Sequence, residues 1–153
     1  MEAQALAAIR AWTRLDQAIA SFNRALERRH GVTGAQLAIL RLVQEWGSPL
    51  PGTQERVVPL AAMRERLVMH PATLGQLLDR LSERGLVTLT ADPGDRRRRL
   101  VALTAEGIRM VGDAPLAGPV RLRHVPADPD RLRRLAEAFQ DAIVLFGLEE
   151  YAR

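Results

Sequence analysis

Residues 86–107 read LVTLTADPGDRRRRLVALTAEG, and this stretch decides the fold of the chain. Two short β-prone runs, residues 86–90 and 100–104, flank a turn that contains Asp, Pro and Gly. This pattern predicts a β-hairpin. Four consecutive arginines, residues 96–99, follow the turn. Guanidinium groups that project from a hairpin turn suit a phosphate backbone or a narrow minor groove.

Two short helical patterns lie immediately before this hairpin. Residues 59–67 repeat leucine and methionine at helical spacing, and residues 68–70 form the turn that follows. Pro71 suits the first position of the next helix, which we expect to run to Arg84 with Gly85 as its C′ residue. The order helix, turn, helix, basic hairpin predicts a winged helix-turn-helix.

Longer helices are predicted on both sides of this unit. Residues 2–29 carry one apolar stripe at spacings of three and four: Leu6, Ile9, Trp12, Leu15, Ile19, Phe22 and Leu26. Thr33 and Gln36 form a capping box for a second helix that stops at Gly47. Residues 48–57 hold two prolines and a glycine and are predicted to be a loop. We expect Trp12, Phe22 and Trp46 to fill the core between the first two helices.

The C-terminal third contains two more predicted helices. Thr104 caps a helix that starts at Ala105, and prolines then interrupt regular structure across residues 114–127. A last helix, residues 128–148, begins with Asp at the N-cap and Pro at the first position.

The composition excludes several classes of protein. All 22 basic residues are arginine, and the formal net charge of +4 is modest, so the run in the hairpin is a local patch. The absence of cysteine excludes disulfides and thiolate zinc sites. No long apolar run and no signal-peptide pattern occur, so we expect a cytoplasmic protein without a membrane span.

Nothing in the sequence supports catalysis. Phosphate-binding glycine loops, nucleophile elbows and paired carboxylates on one face are missing. The histidines, His30, His70 and His124, are scattered without the spacing of metal ligands. We therefore expect no enzyme activity, no metal site and no cofactor.

The order of elements and two motifs resemble the MarR family of bacterial transcription regulators. Residues 74–81 (LGQLLDRL) with 83–87 (ERGLV) resemble its recognition helix and exit, and Asp95-Arg96-Arg97 with Leu103-Thr104 and Gly107 resemble its wing. The resemblance implies a mainly α winged helix-turn-helix fold in one domain, residues 1–153. It implies a DNA-binding lobe at residues 33–103 and a dimerisation region made of residues 1–30 and 104–153. It further implies a homodimeric, ligand-responsive repressor of a pseudo-palindromic operator.

The candidate DNA contacts lie on the recognition helix and the wing. On the helix they are Pro71, Ala72, Thr73, Gly75, Gln76 and Arg80. Gln76 could pair with an adenine edge, and Thr73 could reach a phosphate or a thymine methyl group. On the wing they are Asp95, Arg96, Arg97, Arg98 and Arg99. We expect Asp95 to pair with an arginine, the family pattern assigns Arg97 to the minor groove, and the other arginines would touch phosphates or brace the wing.

A small aromatic or anionic effector would bind between the dimerisation region and the DNA-binding lobe. Phe22, Trp46 and Met110 are candidates for its apolar lining, and Arg24 or His30 could hold a carboxylate or phenolate. The alternative is that these residues only close the core.

A second function remains open at this point, a winged-helix module that docks a protein and not DNA. The arginine run favours DNA, because a protein-docking wing does not need concentrated positive charge.

Overall fold

The computed structural model describes residues 1–152, which divide into two compact units, Met1–Pro115 and a second that starts at Leu116. The first unit holds five helices and four strands in a mixed order: α1 (Glu2–His30), α2 (Gly34–Trp46), β1 (Ser48–Pro49), β2 (Arg56–Pro59), α3 (Leu60–Arg66), α4 (Pro71–Glu83), β3 (Val87–Ala91), β4 (Arg99–Leu103) and α5 (Ala105–Asp113). The predicted helix-turn-helix is therefore α3 and α4, and the predicted hairpin is β3 and β4.

The sheet is antiparallel, with strand order β1-β2-β4-β3. Val58 lies opposite Val101 and Pro59 opposite Leu100, so β2 joins the wing hairpin as its third strand. The prediction that residues 48–57 form a loop is wrong at both ends, because Ser48 pairs with Val57 in β1 and β2. The prolines did not prevent this pairing, since a short edge strand tolerates missing amide donors.

A main hydrophobic core holds the first unit together, and a smaller cluster of Val57, Leu100 and Ala102 lies beside it. The main core is built from aliphatic side chains of α2, α4 and the sheet, with Met63 of α3 and Leu26 of α1 fully enclosed. Leu74, Leu78 and Leu81 fix the inner face of α4. The opposite face of α4 is consequently free of core contacts.

Side-chain caps set the helix boundaries that the sequence predicts. The Thr33–Gln36 capping box is complete, and Gly31 ends α1 in the left-handed conformation at φ 68°. The Thr104 hydroxyl accepts a hydrogen bond from the Gly107 amide and donates one to the Gly85 carbonyl oxygen at 2.6 Å. Thr104 thus fixes the start of α5 against the end of α4.

Most of the apolar stripe of α1 is exposed. Residues 1–19 have no buried side chain, and Ile9 and Trp12 are 56% and 48% exposed. The prediction that Trp12 fills the core is wrong, because the core reaches α1 only towards its C-terminal end at Phe22 and Leu26. The core of the first unit therefore does not cover the apolar side chains of residues 6–19.

The second unit contains α6 (Pro129–Leu145) and two short 3₁₀ helices, Pro119–Arg123 and Glu149–Tyr151. Asp128 caps α6 through the Asp130 amide, as the Asp-Pro start predicts. The helix ends at Leu145, three residues before the predicted end, because Gly147 takes a φ of 68° and breaks the helix. Several large apolar side chains of this unit are exposed, Leu135 and Phe139 among them.

No helix within residues 1–152 combines the length and the apolar character that a membrane span requires.

Candidate nucleic-acid interface

The outer face of α4 carries the predicted recognition residues. Pro71, Ala72, Thr73, Gln76 and Arg80 are all exposed, and Gly75 is partly buried. A Cβ atom at Gly75 would meet nothing within 4 Å, so this position leaves room for close approach by a ligand. The structure thus gathers these six residues on one helix face or its N-terminal turn, as the sequence predicts.

His70 is the N-cap residue of α4, a role that the sequence pattern did not predict. Its Nδ1 atom accepts a hydrogen bond from the Ala72 amide at 3.1 Å and so caps the N-terminus of α4. This bond satisfies one of the amides that would otherwise lack a partner at the helix start. Histidine is an uncommon cap, which is why residue preference alone did not find it.

Two aspartates shape the wing turn, residues 92–98. Asp92 accepts a hydrogen bond from the Gly94 amide, and its other carboxylate oxygen lies 3.8 Å from Nη1 of Arg98. Asp95 accepts from the Arg97 amide at 3.1 Å, and the Asp95 carbonyl oxygen accepts from the Arg98 amide. Arg96 and Arg97 are therefore the central residues of a tight turn.

One sequence prediction about the wing needs correction. Asp95 does hold the loop, but through a backbone amide, and the ion pair with an arginine belongs to Asp92. Arg99 is the first residue of β4 and pairs with Ala91. The four arginines are exposed, and none of Arg96, Arg97 and Arg99 pairs with a carboxylate in the part of the chain that the structure describes.

A small recess of about 160 Å³ lies between the wing and α3. Residues 59–61, Arg64, Arg97, Arg98 and Arg99 line it. The pairing of β2 with β4 creates the recess, because it sets the start of α3 beside the start of β4. No local sequence pattern marks Arg64 as a site residue, because only the non-local strand pairing brings it to the wing.

Arg66, two residues further along α3, has a different environment. Its guanidinium lies over the ring of Trp46, 5.0 Å from the ring centroid. This is cation–π geometry. Arg64 and Arg66 thus lie two residues apart on α3, but Arg64 lines the recess and Arg66 packs over Trp46.

The residues predicted for an effector do not all line one recess of this chain. His30 and Met110 line a recess of about 470 Å³ together with Arg29, Arg84, Glu106, Arg109 and Asp113. Phe22 and Trp46 do not line it and pack against the core. The Arg24 guanidinium donates to the Ser21 hydroxyl at 3.0 Å. Phe22, Trp46 and Arg24 therefore do not line the recess that contains His30 and Met110, and their part in effector binding stays a prediction.

The recess around His30 is polar and carries excess positive charge. Arg109 is hydrogen-bonded to Glu106, and this contact raises the pKa of Arg109. Arg84 donates to the His30 carbonyl oxygen at 3.5 Å. No carboxylate pairs with Arg29 or Arg84 among residues 1–152. No group of His, Asp or Glu side chains in these described residues could hold a metal ion.

A family model and curated relatives identify the chain's family. The MarR family model matches residues 30–98. The transcriptional regulator HosA of Escherichia coli O157:H7 is 33% identical over 114 residues, which are 74% of this chain and 73% of that protein. The chain belongs to the MarR family. With the HosA of Escherichia coli O111:H-, the match is 37% identical over 83 residues but spans only about half, 55%, of that protein's length.

Solved structures show the same fold over most of this MarR-family chain. CouR of Rhodococcus jostii RHA1, solved bound to p-coumaroyl-CoA, is 27% identical with a TM-score of 0.56 and covers 86% of this chain and 87% of its own. A MarR mutant of Escherichia coli in complex with operator DNA has a TM-score of 0.60 at 19% identity and covers 88% and 91%. The predicted MarR winged-helix fold is thus confirmed, whereas the roles of individual residues of the site stay predictions.

Proposed function

We propose that this protein is a homodimeric transcription repressor that binds a pseudo-palindromic operator and releases it when a small anionic ligand binds. The observation that carries the proposal is the exposed face of α4 next to a wing in which three of the four arginines, Arg96, Arg97 and Arg99, have no acidic partner among the described residues. The HosA relatives are named transcriptional regulators, which supports the same function.

The wing needs an anionic partner on electrostatic grounds. Four adjacent guanidinium groups repel one another, and only Arg98 has a nearby carboxylate among the described residues. A DNA backbone or an A·T-rich minor groove supplies negative potential that relieves this repulsion. Arg97, at the centre of the turn, is the wing residue that would enter the minor groove.

The recognition helix would read bases in the major groove. Thr73 and Gln76 lie in the first two turns of α4, where helix residues reach base edges in helix-turn-helix proteins. Gln76 can make a bidentate pair with adenine. Arg80, one turn further along, would contact a phosphate and so fix the orientation of the helix.

A dimer with two-fold symmetry would bind an operator with the same symmetry. Two recognition helices related by the dimer axis would reach half-sites whose centres lie about 10 base pairs apart. The exposed apolar stripe of α1 and the apolar residues of α6 supply the dimer surface in this proposal.

The effector would bind in the recess lined by Arg29, His30 and Met110. Its excess positive charge fits a carboxylate, and CouR, a relative of the same fold, was solved with p-coumaroyl-CoA. A ligand that prefers the DNA-incompetent state can shift the equilibrium only by its differential affinity, typically ~1–3 kcal/mol.

Selection of bound duplexes from a random DNA pool tests this function. We expect a near-palindromic site, and we expect Arg97→Ala to weaken binding to it by ~1–3 kcal/mol. Arg66→Ala, in the same buffer, is the control, because Arg66 packs over Trp46 and not on the wing. Failure to enrich any duplex would reject DNA binding and favour a protein-docking winged helix.

The same binding assay tests whether an effector releases the DNA. Aromatic carboxylic acids should release the DNA, and Arg29→Gln should weaken this response without changing DNA affinity in the absence of ligand. Compounds that bind the protein and leave operator affinity unchanged would reject the inducible part of the proposal.

A further inference from the structure

The recess between α3 and the wing adds one arginine, Arg64, to the predicted DNA contacts of the wing. It joins Arg64 to Arg97, Arg98 and Arg99, and no acidic side chain lines it. Both aspartates of the wing are already engaged, Asp92 with Arg98 and the Gly94 amide, and Asp95 with the Arg97 amide. Arg64, like Arg97 and Arg99, has no carboxylate partner within residues 1–152.

The position of Arg64 follows from strand pairing and helical spacing. Pro59 lies opposite Leu100, so α3 begins at Leu60 beside the first residues of β4. Residues 60, 61 and 64 share one face of a helix, and this is the face that lines the recess. The sheet and the helix together hold Arg64 next to the wing without any direct bond between the arginines.

We propose that this recess binds one phosphate of the DNA backbone through Arg64, Arg98 and Arg99, while Arg97 enters the minor groove, so that Arg64 is a contact that the recognition helix and the wing turn do not supply. The inference rests on the DNA-binding function proposed above. Guanidinium groups bind phosphate oxygens through paired, charge-assisted hydrogen bonds, and several converging arginines strengthen the site. The volume of about 160 Å³ falls below that of sites for drug-sized ligands, which begin near ~300 Å³.

A phosphate contact has two properties that a base contact lacks. It is independent of sequence, and it adds to the salt dependence of binding because it releases a counterion. Arg64 should therefore contribute equally to operator and to unrelated duplex DNA. It should also couple the helix-turn-helix to the wing, since one phosphate would touch both elements.

Binding to the selected operator and to a scrambled duplex, between 50 and 200 mM salt, tests the proposal. We expect Arg64→Gln to weaken binding to both duplexes on the order of tenfold and to reduce the slope of log K against log salt by about 0.9 per bound protomer. Arg64→Lys should keep most of the slope because it keeps the charge. Arg66→Gln, the matched control on the same helix, should change neither quantity.

Phosphate ethylation locates the contact. Ethylation of one phosphate per half-site, beside the minor groove that the wing enters, should weaken wild-type binding more than Arg64→Gln binding. Equal unfolding temperatures of the variants exclude a folding defect as the cause.

The outcomes separate this inference from the proposed function. If Arg64→Gln matches Arg66→Gln in affinity and slope, or keeps the wild-type ethylation pattern, while Arg97→Ala still weakens binding, the phosphate site is wrong and DNA binding stands. If the wild-type protein binds no duplex, both are wrong.

Discussion

At the scale of single residues, Gly107 and Thr104 fix how the start of α5 packs on the connection between α4 and β3. A Cβ atom at Gly107 would lie 2.1 Å from the Leu86 carbonyl oxygen. The Thr104 hydroxyl, three residues earlier, bonds to the Gly85 carbonyl oxygen. The first turn of α5 therefore packs directly on the backbone between α4 and β3, and only glycine permits this distance.

Gly107→Ala should lower the free energy of unfolding by about 3 kcal/mol, because the added methyl group meets a backbone atom that cannot move aside. Gly112→Ala is the control on the same helix, since a Cβ atom there meets nothing within 4 Å. It should raise stability by roughly 0.5–1 kcal/mol through helix propensity. Urea unfolding at one fixed protein concentration measures both, and equal effects would contradict the packing argument.

At the scale of elements, Arg41 joins α2 to the residues after α5. Its Nη2 atom donates to the carbonyl oxygens of Ala114 and Pro115 at 3.1 and 3.3 Å. Its Nε atom is buried and has no hydrogen-bond partner within the described residues. Partial burial lowers the pKa of Arg41, but an arginine stays charged in this setting. These two hydrogen bonds give partners to carbonyl oxygens at the C-terminal end of α5, where the last carbonyl oxygens lack partners within the helix.

Arg41→Met, which keeps an unbranched stem as far as the position of Nε and removes the guanidinium donors, should lower the free energy of unfolding by about 1–3 kcal/mol. Arg41→Lys should lose less, because an ammonium group can still donate to one carbonyl. Amide hydrogen exchange in the last turn of α5 should rise in Arg41→Met. Unchanged exchange and stability would show that solvent replaces this contact without cost.

At the scale of the whole molecule, the chain exposes more apolar surface than a monomer in water favours. Leu6, Ile9, Trp12, Leu15 and Ile19 are all at least 40% exposed on α1. Burial of apolar surface contributes roughly 25 cal/mol per Å², so a continuous exposed stripe favours association with a second copy. The α6 region adds further exposed apolar side chains.

We expect light scattering to give twice the chain mass of 17.0 kDa. Leu15→Glu should shift the protein towards the monomer, because it adds a charge to the stripe. Arg14→Glu, which changes a neighbouring position off the stripe, should leave the dimer intact. A wild-type monomer at micromolar concentration would contradict the assignment of α1 to the dimer surface.

The sequence by itself determined the features that depend on near neighbours in the chain. Capping residues such as Thr33 and Thr104, the proline at position 71 and the glycine at position 31 set helix boundaries through local hydrogen bonds and backbone preferences. The β-prone hairpin and its arginine-rich turn are local in the same sense. These signals were sufficient to predict the winged helix-turn-helix and its family.

Only the tertiary structure decided what depends on residues far apart in the chain. The pairing of β2 with β4 brought Arg64 to the wing, and the packing of α5 on the α4–β3 connection made Gly107 necessary. The same holds for Trp12, which belongs to an apolar stripe but lies beyond the reach of the core. Helical periodicity shows which face of a helix is apolar, but it cannot show what covers that face, because the covering residues come from other elements or another chain.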